Sequence, residues 1–338
     1  MSWAIWITAA PGLALGAAEA LGGAGAAVRL LAPGEIAALL RRGAAAGGPL
    51  DAASRLLAFL ATALVEVGVP VIVDAPAGDG KGREEARAAI PRFAAVEVAP
   101  PGAAAGGERP APDLAIDPAT TPAEEAVALV AELARRLGAA PGRAPRATAG
   151  FAIWITGRPG SGKTSLAERV ARTLRARGAP VRTLDVHSVG RALLRAPARS
   201  EAEQELLHRA LAGSARLLAD AGACVIVDAT APRRAWREAA RELIPRFAEV
   251  QLVCPEETCF ERERATRWRL GPDRALEPAR PDELRGPDLV LGYEESLRPE
   301  LRLRTDAHDL WTTAERVLFL ARRLQLEMGV AEPDRRAP

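Results

Sequence analysis

Residues 151–165 run Phe-Ala-Ile-Trp-Ile-Thr-Gly-Arg-Pro-Gly-Ser-Gly-Lys-Thr-Ser, an apolar stretch that opens directly into the pattern G-x-x-x-x-G-K-T. The pattern dictates a local fold: a buried strand ending at Thr156, a tight turn through Gly157, Gly160 and Gly162, and a helix whose first N–H groups face back into the turn. Backbone N–H groups wrapped in this way make an anion cradle, and the positive end of the helix favours phosphate there. Lys163 would reach the β and γ oxygens of a nucleotide, and Thr164 would place its hydroxyl on Mg²⁺. Gly157, Arg158, Pro159, Gly160, Ser161, Gly162 and Ser165 complete the expected cofactor-binding loop, which holds a nucleotide with Mg²⁺. The bland alternative is a structural glycine turn.

Composition favours the phosphate loop over the bland turn. Lys81 and Lys163 are the only lysines among 45 basic residues, and the chain has no asparagine. Where nearly every cation is arginine, a lysine kept in the loop marks a place where a compact ammonium is required and a planar fork does not serve. The second lysine sits in Gly78-Asp-Gly-Lys-Gly82 and is expected in an exposed surface turn.

Reading the first half against the second exposes an internal echo. Ala4-Ile-Trp-Ile-Thr8 returns as Ala152-Ile-Trp-Ile-Thr156, and Gly68-Val-Pro-Val-Ile-Val-Asp-Ala75 returns as Gly222-Ala-Cys-Val-Ile-Val-Asp-Ala229. Ile90-Pro-Arg-Phe-Ala94 returns as Ile244-Pro-Arg-Phe-Ala248, and Pro112-Asp-Leu-Ala-Ile-Asp117 has a weaker counterpart in Pro299-Glu-Leu-Arg-Leu-Arg304. Ordered matches of this kind indicate a tandem duplication. The first copy reads Ala9-Ala-Pro-Gly-Leu-Ala-Leu-Gly16 where the loop should be, with neither the lysine nor the hydroxyl. Packing, formation of a homodimer or regulation are the roles left to it.

The expected organisation is a degenerate domain at 1–138, a Gly/Pro/Ala linker at 139–150, a nucleotide-binding domain at 151–328 and a disordered tail at 329–338. Pro100 to Gly107 also reads as a loop. In the second copy, strands at 152–156, 181–185, 223–228, 248–253 and 300–303 alternate with helices at 163–177, 201–221, 233–243, 256–268 and 311–326. This alternation predicts an α/β fold: two three-layer α/β/α domains of the P-loop NTPase type with mostly parallel sheets, the first lacking a functional loop.

A net charge of +2, a 4% aromatic content and no interleaved basic patch argue against a nucleic-acid groove. No charge-free apolar stretch reaches the length of a membrane span, and Met1-Ser2-Trp3 lacks the basic start of a signal peptide, so a cytoplasmic location is expected. Cys224, Cys254 and Cys259 are expected as reduced core thiols, with no structural zinc.

The second copy resembles the adenylylsulfate (APS) kinase family. The likeness lies in the run Trp154 to Ala167, Arg175-Ala-Arg-Gly178 before Leu184-Asp185, Leu218-Ala-Asp-Ala-Gly222, Phe247-Ala-Glu-Val250, Cys254-Pro-Glu-Glu-Thr-Cys259, Tyr293-Glu294 and Pro299-Glu300-Leu301. The resemblance implies transfer of the γ-phosphoryl of ATP to the 3′-hydroxyl of adenylylsulfate, giving PAPS. It is incomplete on the acceptor side. Where the family has Asp-Gly-Asp-Asn-x-Arg, this chain has Asp185-Val-His-Ser-Val-Gly-Arg191, so Asp185 matches the first Asp and His187 replaces the second. The segment Glu203 to Arg209 matches the family's sulfonucleotide contacts poorly. Asp228-Ala-Thr-Ala-Pro-Arg-Arg234 replaces the family's Phe-Ile-Ser-Pro-Tyr and resembles a wider group of small-molecule and polynucleotide kinases.

Two carboxylates are therefore candidates for the catalytic and metal-binding role, Asp185 first, with Thr164 as co-ligand, and Asp228 second, since an apolar strand ending in Asp sets a carboxylate at the sheet edge. Asp74 holds the Asp228 position in the loopless copy, which suits a structural cap as well. His187 reads as an acceptor-side base or as a plain loop residue. Arg262, Arg264, Arg267 and Arg269 fall where such kinases carry a mobile lid, in a run that also suits a salt-bridged surface. Trp268 would stack on adenine or anchor its helix, and Gly271 to Pro287 would loop over the acceptor pocket. The acceptor is adenylylsulfate or another small alcohol. Rival readings are a kinase for another alcohol or a polynucleotide end, and an ATP-binding regulator that transfers nothing.

Overall fold

The computed structural model describes residues 2–8, 10–40, 50–76, 80–99, 110–139, 150–194, 198, 200–269 and 292–326. The chain forms two compact units, Met1–Ala147 with Val189–Pro197, and Thr148–Ser188 with Ala198–Pro338. The expected loops at 100–107 and 271–287, the tail from 329, and all but the ends of the expected linker lie outside the described residues.

The first unit contains β1 (Ala4–Thr8), α1 (Pro11–Gly23), β2 (Arg29–Leu31), α2 (Pro33–Leu40), α3 (Leu50–Glu66) and β3 (Val71–Ala75). It continues with α4 (Lys81–Ala89), β4 (Phe93–Val98), β5 (Leu114–Ile116) and α5 (Ala123–Arg136). Its strands lie in the order β2-β3-β1-β4-β5, all pairs parallel. The second unit contains β6 (Phe151–Gly157), α6 (Lys163–Ala176), β7 (Val181–Asp185), the start of α7 (Val186–Leu193), whose residues from Val189 on fall in the first unit, α8 (Glu201–Asp220) and β8 (Cys224–Asp228). After these come α9 (Arg234–Leu243), β9 (Phe247–Val253), α10 (Glu256–Arg269), β10 (Leu301–Arg304) and α11 (Leu310–Leu326). Its sheet is β7-β8-β6-β9-β10, again parallel, so the two sheets share one strand order.

The α/β architecture with parallel sheets is as expected from the alternating pattern. Strand β6 is buried at every residue, which is why it reads as an unbroken apolar run instead of an alternating one. Its odd-numbered residues Phe151, Ile153 and Ile155 pack with Leu166, Val170 and Leu174 of α6 and with Val317, Ala321 and Leu324 of α11. Each of these Phe, Ile, Leu and Val side chains, fully buried, contributes roughly 1.5–3 kcal/mol. On the first sheet, Trp3, Ile5 and Ile7 pack with Ala14, Ala17 and Leu21 of α1 and Ala126, Val130 and Ala134 of α5.

The likeness of the two units extends to side chains. Trp6 lies against Phe93 at 6.5 Å and 40°, and Trp154 against Phe247 at 6.1 Å and 44°. Arg87 binds Asp113, which also accepts the Ala95 N–H, and stacks on Phe93. In the same pattern Arg241 binds Glu300, which accepts the Glu249 N–H, and stacks on Phe247.

Two local expectations are corrected. Lys81 opens helix α4 behind Gly80 instead of sitting in a turn, because Lys81 to Ala89 is rich in strong helix formers. The residues after Asp185 form helix α7 instead of a loop, so His187 is an exposed residue of a first helical turn. The Asp185 carboxylate nucleates that turn, accepting the Ser188 N–H at 2.8 Å and its hydroxyl at 2.5 Å.

Candidate functional site

The site is built at the C-terminal edge of the second sheet, where β6 gives way to the glycine loop and α6. Gly162, at φ 96°, is the N-cap of α6 and offers no side chain to its first N–H groups, which leaves these donors to a ligand. Gly160, at φ 74°, lies so close to α10 that a Cβ there would stand 2.1 Å from the Cys259 carbonyl oxygen. Only glycine fits that contact. The Ser161 hydroxyl is buried in the loop without a hydrogen-bond partner among the described residues, and the Ser161 carbonyl is held by the Thr305 hydroxyl at 2.9 Å.

Lys163 is buried, and its Nζ donates to the carbonyls of Gly157 and Arg158 at 3.0 Å each, so the ammonium lies along the inside of the loop. Arg158 is turned outward to Glu256 at 2.8 Å, Pro159 is half-buried, and Ser165 is exposed in the first turn of α6. The loop, the uncapped helix end and the buried lysine fit a polyphosphate chain.

The Thr164 hydroxyl donates to Asp228 Oδ2 at 2.6 Å. Asp228 stands beside Ile155 of β6 and Asp185 beside Asp228, so the order β7-β8-β6 puts Asp228 one strand spacing, about 4.8 Å, nearer the loop. Burial pushes the Asp228 carboxyl above the usual aspartate range, and Asp185 adds to this. The Thr164 hydrogen bond, the Lys163 ammonium and His187 work against it. A hydroxyl and a carboxylate converging beside a phosphate cradle is a donor set suited to Mg²⁺, a hard cation that takes oxygen ligands. Asp185 does not join Thr164; its oxygens cap α7.

The lid expectation divides. Arg262 is folded inward, with Nη2 on the Thr305 carbonyl at 2.7 Å and Nη1 on the Thr305 hydroxyl at 3.2 Å, so it braces the same threonine that holds Ser161. Arg264 is exposed, and the side chains of Arg267, Trp268 and Arg269 lie outside the described residues. The cysteines are free and buried, as expected, and burial together with the neighbouring Cys254 pushes the Cys259 thiol up to about 12. Among the described residues no helix is long and apolar enough to cross a membrane, and no His/Cys/Asp/Glu cluster suits a metal.

A buried ionic network behind the site was missed by sequence reasoning. Arg237 and Glu249 pair at 2.9 Å with 1% and 3% of their side chains exposed, and Arg241, Glu300, Ser296 and Tyr293 gather round them. The Arg237 to Glu249 spacing of 12 residues bridges a helix and a strand, and no local pattern announces it.

A phosphate loop at the carboxyl edge of a parallel sheet, with a lysine inside it and a hydroxyl–carboxylate pair beside it, defines a P-loop nucleotide-binding domain of the phosphotransferase class. Residues 149–271 match the family model described as adenylylsulphate kinase. A probable adenylyl-sulfate kinase of Archaeoglobus fulgidus is 37% identical over 160 residues, covering 47% of this chain and 98% of the relative. One from Pyrococcus abyssi is 33% identical over 176 residues, covering 52% and 97%. A structure of the Mycobacterium tuberculosis APS kinase in complex with AMPPNP and APS aligns at 28% identity and a TM-score of 0.42, covering 51% of this chain and 98% of that one. The chain belongs to the adenylyl-sulfate kinase family and is a kinase, and the family uses ATP with Mg²⁺.

Proposed function

We propose that the second unit transfers the γ-phosphoryl of ATP to the 3′-hydroxyl of adenylylsulfate, giving PAPS and ADP. The observation that carries this reading is the Thr164–Asp228 contact beside Lys163, in a segment matched by the family model. In the reaction, the acceptor oxygen bonds to the γ phosphorus while the bond to the β–γ bridging oxygen breaks. The hydroxyl proton passes to water by way of the strand-end carboxylates. Lys163 exchanges its loop carbonyls for β and γ oxygens, the loop N–H groups hold the phosphates in line, and Thr164 and Asp228 hold Mg²⁺. Mg²⁺ supplies neutralisation of the charge that develops on the phosphate oxygens. Asp185, fixed by Ser188, faces the acceptor side with His187 beside it.

One observation favours another alcohol as acceptor. Glu203 is spent in a capping box with Ser200, and Arg209 is paired with Glu205, so the segment matching the family's sulfonucleotide contacts is engaged with itself. The first unit, on this reading, is a degenerate copy retained as scaffold, with domains at 1–138 and 151–328. The shared strand order and the paired Trp–Phe and Arg–acid arrangements support it.

The test is ADP release from Mg-ATP with adenylylsulfate, a panel of other alcohols and 5′-hydroxyl oligonucleotides, using Lys163→Ala as control. Lys163-dependent release stimulated by adenylylsulfate supports the reading. Stimulation by another acceptor moves the assignment to that acceptor, and ATP binding with no stimulation by any of them leaves a regulatory nucleotide binder.

A further inference from the structure

We propose that Arg237 is the positioning residue of this site, clamping the turn that follows Asp228 to the strap at Tyr293–Ser296. The inference rests on the phosphotransferase reading above and identifies what sets the geometry of its carboxylate edge.

Arg237, on α9, spends its whole guanidinium fork on this clamp. Nε donates to Glu249 Oε1 at 2.9 Å, Nη1 donates to the Ala231 carbonyl, and Nη2 donates to the Glu294 carbonyl at 2.5 Å. The guanidinium also lies over the Tyr293 ring, 5.1 Å from its centroid. Glu249 in turn accepts from the Ser296 hydroxyl, tying the strap to the sheet a second time. One buried cation therefore joins strand, turn and strap.

The turn it grips is the one that carries the chemistry. Ala231 lies three residues after Asp228 and has φ 41°, the left-handed region that costs a residue with a Cβ about 1 kcal/mol or more. Such a conformation persists only where its surroundings hold it. Two side-chain bonds do so, beside the backbone bonds of Ala229 and Pro232: Arg237 on the Ala231 carbonyl, and the Thr156 hydroxyl on the Thr230 carbonyl at 2.6 Å. Because the single Thr156 proton goes to Thr230, Tyr293 must be the donor in its 3.2 Å contact with Thr156. The path runs from Arg237 through Tyr293 to Thr156, the residue before the first glycine of the loop. In the loopless unit the corresponding Arg83 pairs with Glu97 at 3.7 Å, and Ala95 stands where Glu249 would be. The acid that Arg237 pairs with is therefore particular to the unit that has the loop.

Arg241 is the natural control. It lies one turn along α9 and binds Glu249 and the more exposed Glu300, and among the described residues its hydrogen bonds go to neither the Ala229–Ala231 turn nor Tyr293. Arg237→Lys keeps the charge and loses the fork. We expect kcat for phosphoryl transfer to fall roughly tenfold or more, as for a misplaced reacting group, with ADP affinity in the absence of Mg²⁺ unchanged. Arg241→Lys, at a comparable loss of Tm, should keep kcat within about a factor of two. Tyr293→Phe removes one hydroxyl and should lower kcat in the same direction, giving a readout if Arg237→Lys fails to fold. Equal kcat losses in the two arginine variants, or an unchanged kcat in Tyr293→Phe, would overturn the proposal. If the wild-type protein turns over no acceptor, the phosphotransferase reading fails on its own. The clamp is then judged by the gain in ADP affinity on adding Mg²⁺, which should shrink in Arg237→Lys and hold in Arg241→Lys; equal gains would overturn it.

Discussion

Asp228 shows at a single residue how function and stability oppose each other. Its carboxylate is held where burial disfavours charge, so the folded protein binds that proton more tightly than the unfolded chain does. Stability contributed at this position is greatest below the ordinary aspartate value of 3.8 and declines as pH rises through the raised folded value. Asp228→Asn keeps an oxygen for the Thr164 hydroxyl and removes the charge. The variant should melt higher than wild type at pH 7, and the gap should close as pH falls toward the ordinary aspartate value of 3.8. Turnover should fall at least about a hundredfold, if the carboxylate holds the metal as proposed. A Tm gap that is constant across this pH range would show that the charge is not what costs stability. Lys163→Ala tests the other half of the cradle. Loss of the ammonium should lower kcat/KM by about a hundredfold or more in steady-state ADP release.

At the scale of elements, the phosphate loop is a backbone object wedged between α6 and α10. Gly160→Ala would drive a methyl into the Cys259 carbonyl, a contact with rigid main chain that has no side chain to move aside. Gly162→Ala meets nothing within 4 Å and incurs only the strain of its left-handed φ. The first should lower the urea midpoint clearly more than the second, whose cost is about 1 kcal/mol. A reversed order would mean that α10 yields to the loop. The same elements show what sequence could and could not reveal. Strand β6, the loop and α6 were legible because an apolar run, three glycines and the lysine lie together in 13 residues, 151–163. Which carboxylate meets Thr164 was not legible, because Asp185 and Asp228 both end apolar strands and only the strand order, β8 next to β6, separates them. Helix α7 was hidden by Gly190 and by two valines of low helix propensity; its one signal was Asp185 followed three residues later by Ser188. The Arg237 network escaped altogether, since its partners come from positions 231, 249, 293, 294 and 296 and meet only through tertiary packing.

At the scale of the molecule, two units share one strand order and differ in what stands at the loop. After β1 the chain reads Ala10-Pro-Gly-Leu-Ala-Leu-Gly16, and helix α1 begins with proline and has no acidic or basic residue in its first turn or last turn. Nothing there replaces the Lys163 ammonium or the Thr164 hydroxyl, although Asp74 is kept and burial raises its carboxyl as it does that of Asp228. A carboxylate without cradle or lysine has no means of holding a polyphosphate, so nucleotide should bind one unit per chain. Saturating Mg-ADP, at about 100 times its Kd, adds about 2.7 kcal/mol to the unit that binds it. Hydrogen exchange should therefore slow in β6, α6 and β8, by up to about a hundredfold where exchange requires opening of the whole unit. Exchange in β1, α1 and β3 should be unchanged, and equilibrium dialysis should return one nucleotide per chain. Equal protection of Ala4–Thr8 and Phe151–Gly157, with a stoichiometry of two, would show instead that the first unit binds nucleotide by means other than a lysine-bearing loop.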